Sequence, residues 1–302
     1  MSFSNDVRRE ICSAISDNDK RFACLYGMLL FCRTLSPEHI CFQTESEISA
    51  DFFGSLFRNV FHFSPSCRKN ERKDGTVLYS YDITDSKIIS EIYSVYKLIN
   101  IRTINSEIIV TNSICGFTAG IFLACGSVND PSKEYHLEFS VQGDILAEEL
   151  VLILADIGVT AKTAIRRGQH IVYIKDSESI EDTLTFMGAQ NCTLEIMNVK
   201  IYKDVRNKAN RIANCDSANI DKVIRASMKQ TEDIMLIQQT DGLESLPPEL
   251  REVAEIRLEN TDMSLQEIGE SLSTPISRSG VNHRFKKIAV IADGIRNGQN
   301  KI

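Results

Sequence analysis

Apolar positions follow helical and strand rhythms in turn along the first hundred residues. Val7, Ile11, Ala14 and Ile15 recur at helical spacing and predict an amphipathic helix over Phe3 to Ile15. A second helix is predicted from Phe22 to about Thr34, stopped by Ser36-Pro37. Ile40 to Thr44 has strand character, and Phe52, Phe53, Leu56, Phe57 and Val60 restore the helical period over Ala50 to Phe61. Arg68 to Lys73, the turn Asp74-Gly75 and the alternation Val77, Tyr79, Tyr81, Ile83 predict a hairpin. A helix from Asp85 to about Leu98 closes the set.

The same order then returns. An apolar helix around Thr118 to Asn129 is followed by the turn Asp130-Pro131, a strand over Tyr135 to Val141 and a helix over Asp144 to Ile157. Strands follow at Ala161 to Arg166 and His170 to Ile174, then a helix at Ser177 to Met187. This implies an internal duplication, with repeats at about 1–105 and 112–200. In the second repeat the small residues Ala119, Gly120, Ala124 and Gly126 alternate with Ile121, Phe122 and Leu123, a pattern that lets two helix backbones approach closely. The counterpart is Leu25 to Arg33, with Gly27 aligned on Gly120.

Past residue 200 the pattern changes. Lys200, Lys203, Arg206, Lys208 and Arg211 form a basic polar stretch, and Ile220 to Ile237 carries a long helical pattern, so 201–242 reads as a helical linker. Its basic stretch offers a second role, contact with nucleic acid. The last part, 243–302, reads as three helices. Pro247-Pro248 opens one, Ser264-Leu265-Gln266-Glu267 is a capping box opening the next, and Gly269 leaves room for a crossing helix. Ser277 caps the third, whose Val281, Phe285 and Ile288 face inward. Its other face carries Arg278, Ser279, Asn282, His283, Arg284, Lys286 and Lys287, whereas glutamates crowd the two helices before it. Helix, short turn, basic helix is the helix-turn-helix arrangement; a solvated three-helix bundle would share its pattern. In the DNA-reading arrangement Arg278 and Asn282 suit base edges, Lys286 and Lys287 suit phosphates, and Ser277, Ser279, His283 and Arg284 complete the contact set.

Composition narrows the classes. A chain of 302 residues, 43% hydrophobic, is long enough for two domains, and no apolar run reaches the length of a membrane helix. The polar start, Met1 to Glu10, does not suit a secretory signal, which makes the cytoplasm the expected location and a membrane partner unexpected. The net charge of -7 argues against nucleic acid coating the whole surface, so local charge decides. Nine scattered cysteines without a Cys-x-x-Cys pair support neither disulfides nor a zinc ribbon. They read as reduced, mostly buried residues; no metal site and no cofactor are expected.

The paired small-residue helices resemble those of the LAGLIDADG homing-endonuclease fold, which pack at the centre of a pseudo-two-fold saddle. In that family each motif helix ends in a carboxylate that holds catalytic metal. Here the corresponding positions are Leu30 and Cys32 in the first copy and Leu123 and Cys125 in the second. The expected fold class is therefore α+β: a duplicated, degenerate LAGLIDADG-like saddle (1–200), a helical linker and an all-α helix-turn-helix domain.

The combination resembles the WhiA family of bacterial regulators. The likeness is carried by Met1-Ser2-Phe3-Ser4, Phe122 to Pro131 with Tyr135-His136-Leu137-Glu138, Val205-Arg206-Asn207, Asn210-Arg211, Asn214-Cys215, Gly242 to Pro247, and Ser277 to Arg284. It implies a non-catalytic transcription factor on the nucleoid that binds double-stranded promoter DNA, has a possible partner in the transcription machinery, and serves sporulation, cell division or chromosome segregation. Two other readings are an active endonuclease, which the four motif positions disfavour, and a protein-binding scaffold for cell division.

Overall fold

The structure, a computed structural model, describes residues 2–111 and 113–298. Met1 of the expected family start, Asn112 and positions 299–302 of the expected C-terminal domain lie outside the described residues. The chain divides into two compact units, Met1–Lys203 and Asp204–Ile302.

In the first unit the elements run α1 (Phe3–Ala14), α2 (Asn18–Leu30), β1 (Thr34–Leu35), β2 (Ile40–Thr44), α3 (Glu47–Phe61), β3 (Cys67–Glu71), β4 (Val77–Ile83), α4 (Ser86–Val95) and α5 (Ser106–Thr111). The second repeat supplies α6 (Ile114–Cys125), β5 (Gly126–Val128), β6 (Leu137–Val141), α7 (Asp144–Asp156), β7 (Lys162–Arg166), β8 (Gln169–Ile174) and α8 (Ser177–Phe186). Helix α9 (Gln190–Thr240) then runs on into the second unit. The two antiparallel sheets have the same order, β1-β2-β4-β3 and β5-β6-β8-β7, so the duplication extends to strand topology.

Helices α2 and α6 pack together at the centre of this unit because both present glycine to the other's backbone. A Cβ on Gly27 would collide with the Phe117 carbonyl oxygen, and one on Gly120 with the Cys24 carbonyl oxygen. The two contacts are reciprocal, since Gly27 aligns with Gly120 and Cys24 with Phe117. Gly116 repeats the device one turn earlier, against the Lys20 carbonyl oxygen. The seam continues into buried aromatic packing, with Tyr26 5.1 Å from Tyr96 and 5.2 Å from Phe117 between ring centroids.

Both motif helices lie earlier than their apolar pattern predicts. Asp17 accepts from the Lys20 amide, so the polar stretch read as a break is the cap and first turn of α2. That helix stops at Leu30, and Thr34–Leu35 leave it to pair with Ile40 and Cys41. Helix α6 likewise begins at Ile114 under a Ser113 cap and gives way to β5 at Gly126. Apolar content fails to distinguish the end of a buried helix from the start of a buried strand.

The second unit has its own core. Ile234 and Ile237 from the end of α9 pack with Leu250, Val253, Ile268, Val281, Phe285 and Ile288 of α10 (Pro248–Glu259), α11 (Leu265–Ser271) and α12 (Arg278–Arg296). The basic stretch from Lys200 to Arg211 is helical within α9.

Candidate nucleic-acid interface

Local capping chemistry sets the helix-turn-helix unit. Ser264 accepts from the Glu267 amide while the Glu267 carboxylate accepts from the Ser264 amide, which starts α11 at Leu265. A Cβ at Gly269 would strike the Ile276 carbonyl oxygen, so only glycine allows the chain after α11 to pass this close. Arg257 lies beneath the turns at 2% exposure; its guanidinium donates to the carbonyls of Met263 at 2.6 Å and Thr261 at 3.1 Å and lies over the Phe285 ring. One buried cation thus ties the α10–α11 turn to α12.

Helix α12 starts under Ser277, whose hydroxyl accepts from the Gly280 amide at 3.3 Å and lies 2.8 Å from the Ser279 hydroxyl. Val281, Phe285, Ile288 and Ala292 are buried. Ser279, His283 and Lys286 lie on the exposed side at helical spacing, a row that Val290 continues, 71% exposed. Asn282 and Lys287 are exposed as well. Among the described residues no side-chain hydrogen bond or ion pair engages Arg278, Asn282, His283, Lys286 or Lys287. Arg284 is different: it is half-buried, and its Nη1 donates to the Glu249 carbonyl of α10 at 3.3 Å. Arg278 stands on the flank, where it lines a cavity of about 620 Å³ with Lys222 of α9 and Gln266 of α11. Sequence reasoning missed Lys222 and Gln266 because only the packing of α9 beside α11 brings them to Arg278.

At the ends of the motif helices two guanidinium groups reach backbone carbonyls. Arg102 donates to the Cys32 carbonyl at 2.7 Å, and Arg8 donates to the Gly126 carbonyl at 2.7 Å while lying over the Phe122 ring. Each guanidinium complements the negative end of its helix. Burial pushes the thiols of Cys32 and Cys125 up to about 12, so both are neutral at physiological pH, and Leu30 and Leu123 offer no donor. These residues do not fit the paired divalent cations of the endonuclease site. Arg8, Arg33, Arg72, Gln43, Gln142 and Gln169 line a cavity of about 860 Å³ beside Cys125. No short motif signals Arg8 or Arg102, since both reach the helix ends from distant sequence positions.

A duplicated LAGLIDADG-like saddle whose motif acids are replaced, carried in one chain with a capped helix-turn-helix, defines a compound class found in neither parent fold alone. The family profile described as "WhiA LAGLIDADG-like domain" matches residues 114–206, and that described as "WhiA C-terminal HTH domain" matches 209–292. Proteins named probable cell division protein WhiA are similar over their whole length: that of Alkaliphilus oremlandii is 36% identical, covering 100% of each chain, and that of Thermoanaerobacter pseudethanolicus is 33% identical, covering 98% of each. The full-length DUF199/WhiA crystal structure from Thermatoga maritima shares the fold, with a TM-score of 0.59, 23% identity, and coverage of 97% of this chain and 98% of that one. The chain belongs to the WhiA family.

Proposed function

We propose that this protein is a non-catalytic, sequence-specific regulator of transcription that binds double-stranded promoter DNA on the nucleoid and serves cell division, chromosome segregation or sporulation. The observation that carries the reading is the outer side of α12. Asn282, His283, Lys286 and Lys287 project there with Arg278 on the flank, none with a side-chain partner, on a helix held by the close approach of Gly269 to Ile276 and Val281 and by the buried Arg257 under Phe285. Ser279 lies among them, Ser277 caps the helix and Arg284 braces it against α10. Long donors suited to bases and phosphates, left unpaired on one rigid helix, match what a major-groove reader requires. The cell-division name of the relatives supports the biological setting. The neutral thiols and the guanidinium groups at the motif ends support a saddle that does not cleave DNA.

We assign recognition to 243–302, spacing to the linker 201–242, and additional DNA or transcription-machinery contacts to the saddle at 1–200. The test compares the full chain, residues 1–203 and residues 204–302, which keep Ile234 and Ile237 with the core they belong to, on a selected duplex and its scrambled version at one salt concentration, because phosphate contacts make affinity salt-dependent. The full chain discriminates strongly, 204–302 discriminates with weaker affinity, and 1–203 binds both duplexes alike. Full discrimination by 1–203 alone would transfer recognition to the saddle and overturn the assignment.

A further inference from the structure

Strand register brings together three side chains that the DNA-binding reading leaves unused. Cys41 on β2 lies directly opposite Asp82 on β4. Phe42 and Tyr81, their neighbours along the strands, face the helices, where both pack against Phe53. Cys41 and Asp82 therefore point to the other side of the sheet. His39 precedes β2 by one residue and reaches the same side, with its Nε2 3.0 Å from Asp82 Oδ1. The His39 nitrogen, the Cys41 sulfur and the Asp82 carboxylate oxygen all lie within 4.8 Å of one another. Among the described residues no other group of three histidine, cysteine, aspartate or glutamate side chains converges in this way.

We propose that His39, Cys41 and Asp82 bind a zinc ion on the outward face of the first sheet. One imidazole nitrogen, one sulfur and one carboxylate oxygen form a donor set suited to zinc, and the sulfur disfavours magnesium or calcium. Tetrahedral zinc separates its donors by roughly 3 to 4 Å, so the three groups need only small adjustments. On binding, zinc displaces the proton from the Cys41 thiol to solvent; thiolate and carboxylate together balance the charge of the ion, and the imidazole binds in its neutral form. The half-exposed His39 leaves the fourth position open to water.

The surroundings already hold these ligands. Ser80 donates to the second carboxylate oxygen, Asp82 Oδ2, at 3.2 Å, and Gln43 Nε2 donates to the Ser80 hydroxyl at 3.3 Å, an outer layer that orients the ligand without occupying it. At the chain's N-terminal side, the Ser36 hydroxyl accepts from the His39 amide at 3.0 Å and fixes the turn that presents the imidazole. Arg68 is the competing cation, but it stands 4.0 Å from Asp82 Oδ2 and its side chain is 74% exposed, free to swing into solvent. The second repeat shows the alternative outcome. His136-Leu137-Glu138-Phe139 stands where the first repeat has His39-Ile40-Cys41-Phe42, and Glu138 is held by His136 at 2.9 Å and Arg166 at 3.0 Å. There the sulfur is missing and a guanidinium supplies the positive charge.

The experiment uses the full chain, reduced and stripped of metal. Zinc is titrated in competition with a chromophoric chelator, and cobalt is then used as a spectroscopic probe. One equivalent of zinc should bind, and cobalt should give the visible bands of a tetrahedral site with a sulfur-to-metal charge-transfer band. Cys41→Ser should abolish that band, and His39→Gln, at a half-exposed position, should weaken zinc at least about tenfold. Cys67→Ser and Cys215→Ser, which remove the exposed thiols, should leave both readouts unchanged. Absence of stoichiometric binding, or a charge-transfer band that survives Cys41→Ser, overturns the proposal; so does unchanged affinity in a folded His39→Gln protein.

Discussion

Replacing Gly120 by alanine adds a single methyl group at the centre of the saddle and should destabilise it more than such a change usually does. The new Cβ would fall on the Cys24 carbonyl oxygen, with the carbonyl carbon 2.9 Å away and the Cα 3.0 Å away. All three are backbone atoms, so no side chain can rotate aside, and α2 and α6 must part by about an ångström. Such a gap forfeits about a quarter to a half of each dispersion contact along the seam. Overpacking of a close contact costs about 1 to 3 kcal/mol, against which the alanine recovers about 0.5 to 1 kcal/mol of helix propensity. A net loss of about 1 kcal/mol in a unit of this size lowers its melting temperature by about 2 to 4 °C. Calorimetry of the full chain should show the fall in the saddle's transition. The reciprocal contact sharpens the test: once either variant has parted the helices, the second methyl meets less resistance, so Gly27→Ala combined with Gly120→Ala should cost less than the sum of the single changes. Gly294→Ala in α12, where nothing lies within 4 Å of the new methyl, should instead be neutral or stabilising. An unchanged transition for Gly120→Ala, or strict additivity in the double variant, would refute the close-contact argument.

Arg278→Ala should reduce affinity mainly for the selected duplex, by about 1 to 3 kcal/mol, whereas Lys287→Ala should weaken every duplex alike and flatten the salt dependence; equal losses on both duplexes for Arg278→Ala would remove its base-reading role. The pure protein incubated with duplex libraries and magnesium or manganese should leave them intact, and metal-dependent cleavage that follows the protein through purification would refute the reading of the motif ends. Burial pushes the carboxyl of Glu10 up, but amide donation from Cys192 and Asn191 at the start of α9 outweighs this and holds it below the ordinary value. Its stabilising contribution is therefore complete above the unfolded pKa and is lost as pH falls through the folded one. Glu10→Gln should lower stability at pH 7 by under about 1 kcal/mol after solvent screening, and the difference from the parent should vanish in acid; a difference that persists below pH 3 would exclude this linkage.

Patterns within one element were readable in the sequence, whereas contacts made between distant elements were not. Gly27 and Gly120 stood out because each lies in an apolar helix, and Ser264 with Glu267 because a capping box spans only four residues. The duplication was legible because the same rhythm occurs twice. The helix boundaries at Leu30 and Cys125 were hidden because apolar residues continue from helix into strand without a polar marker. Arg8, Arg102 and Arg257 carry no local signal, yet each is committed to backbone carbonyls that the fold brings within reach. His39, Cys41 and Asp82 carried no ligand motif, because the pairing of β2 with β4 alone places the third beside the other two. Within α12 the exposed polar residues were legible from helical spacing, but the diversion of Arg284 to Glu249 depends on where α10 lies.

The reciprocal glycine contact also makes the two repeats answerable to each other. A side chain gained at Gly27 strikes the backbone of the second repeat, and one gained at Gly120 strikes the backbone of the first. Neither copy can therefore change at this position unless the other yields. Under mutation the pair behaves as one site, although its two halves lie far apart in the sequence.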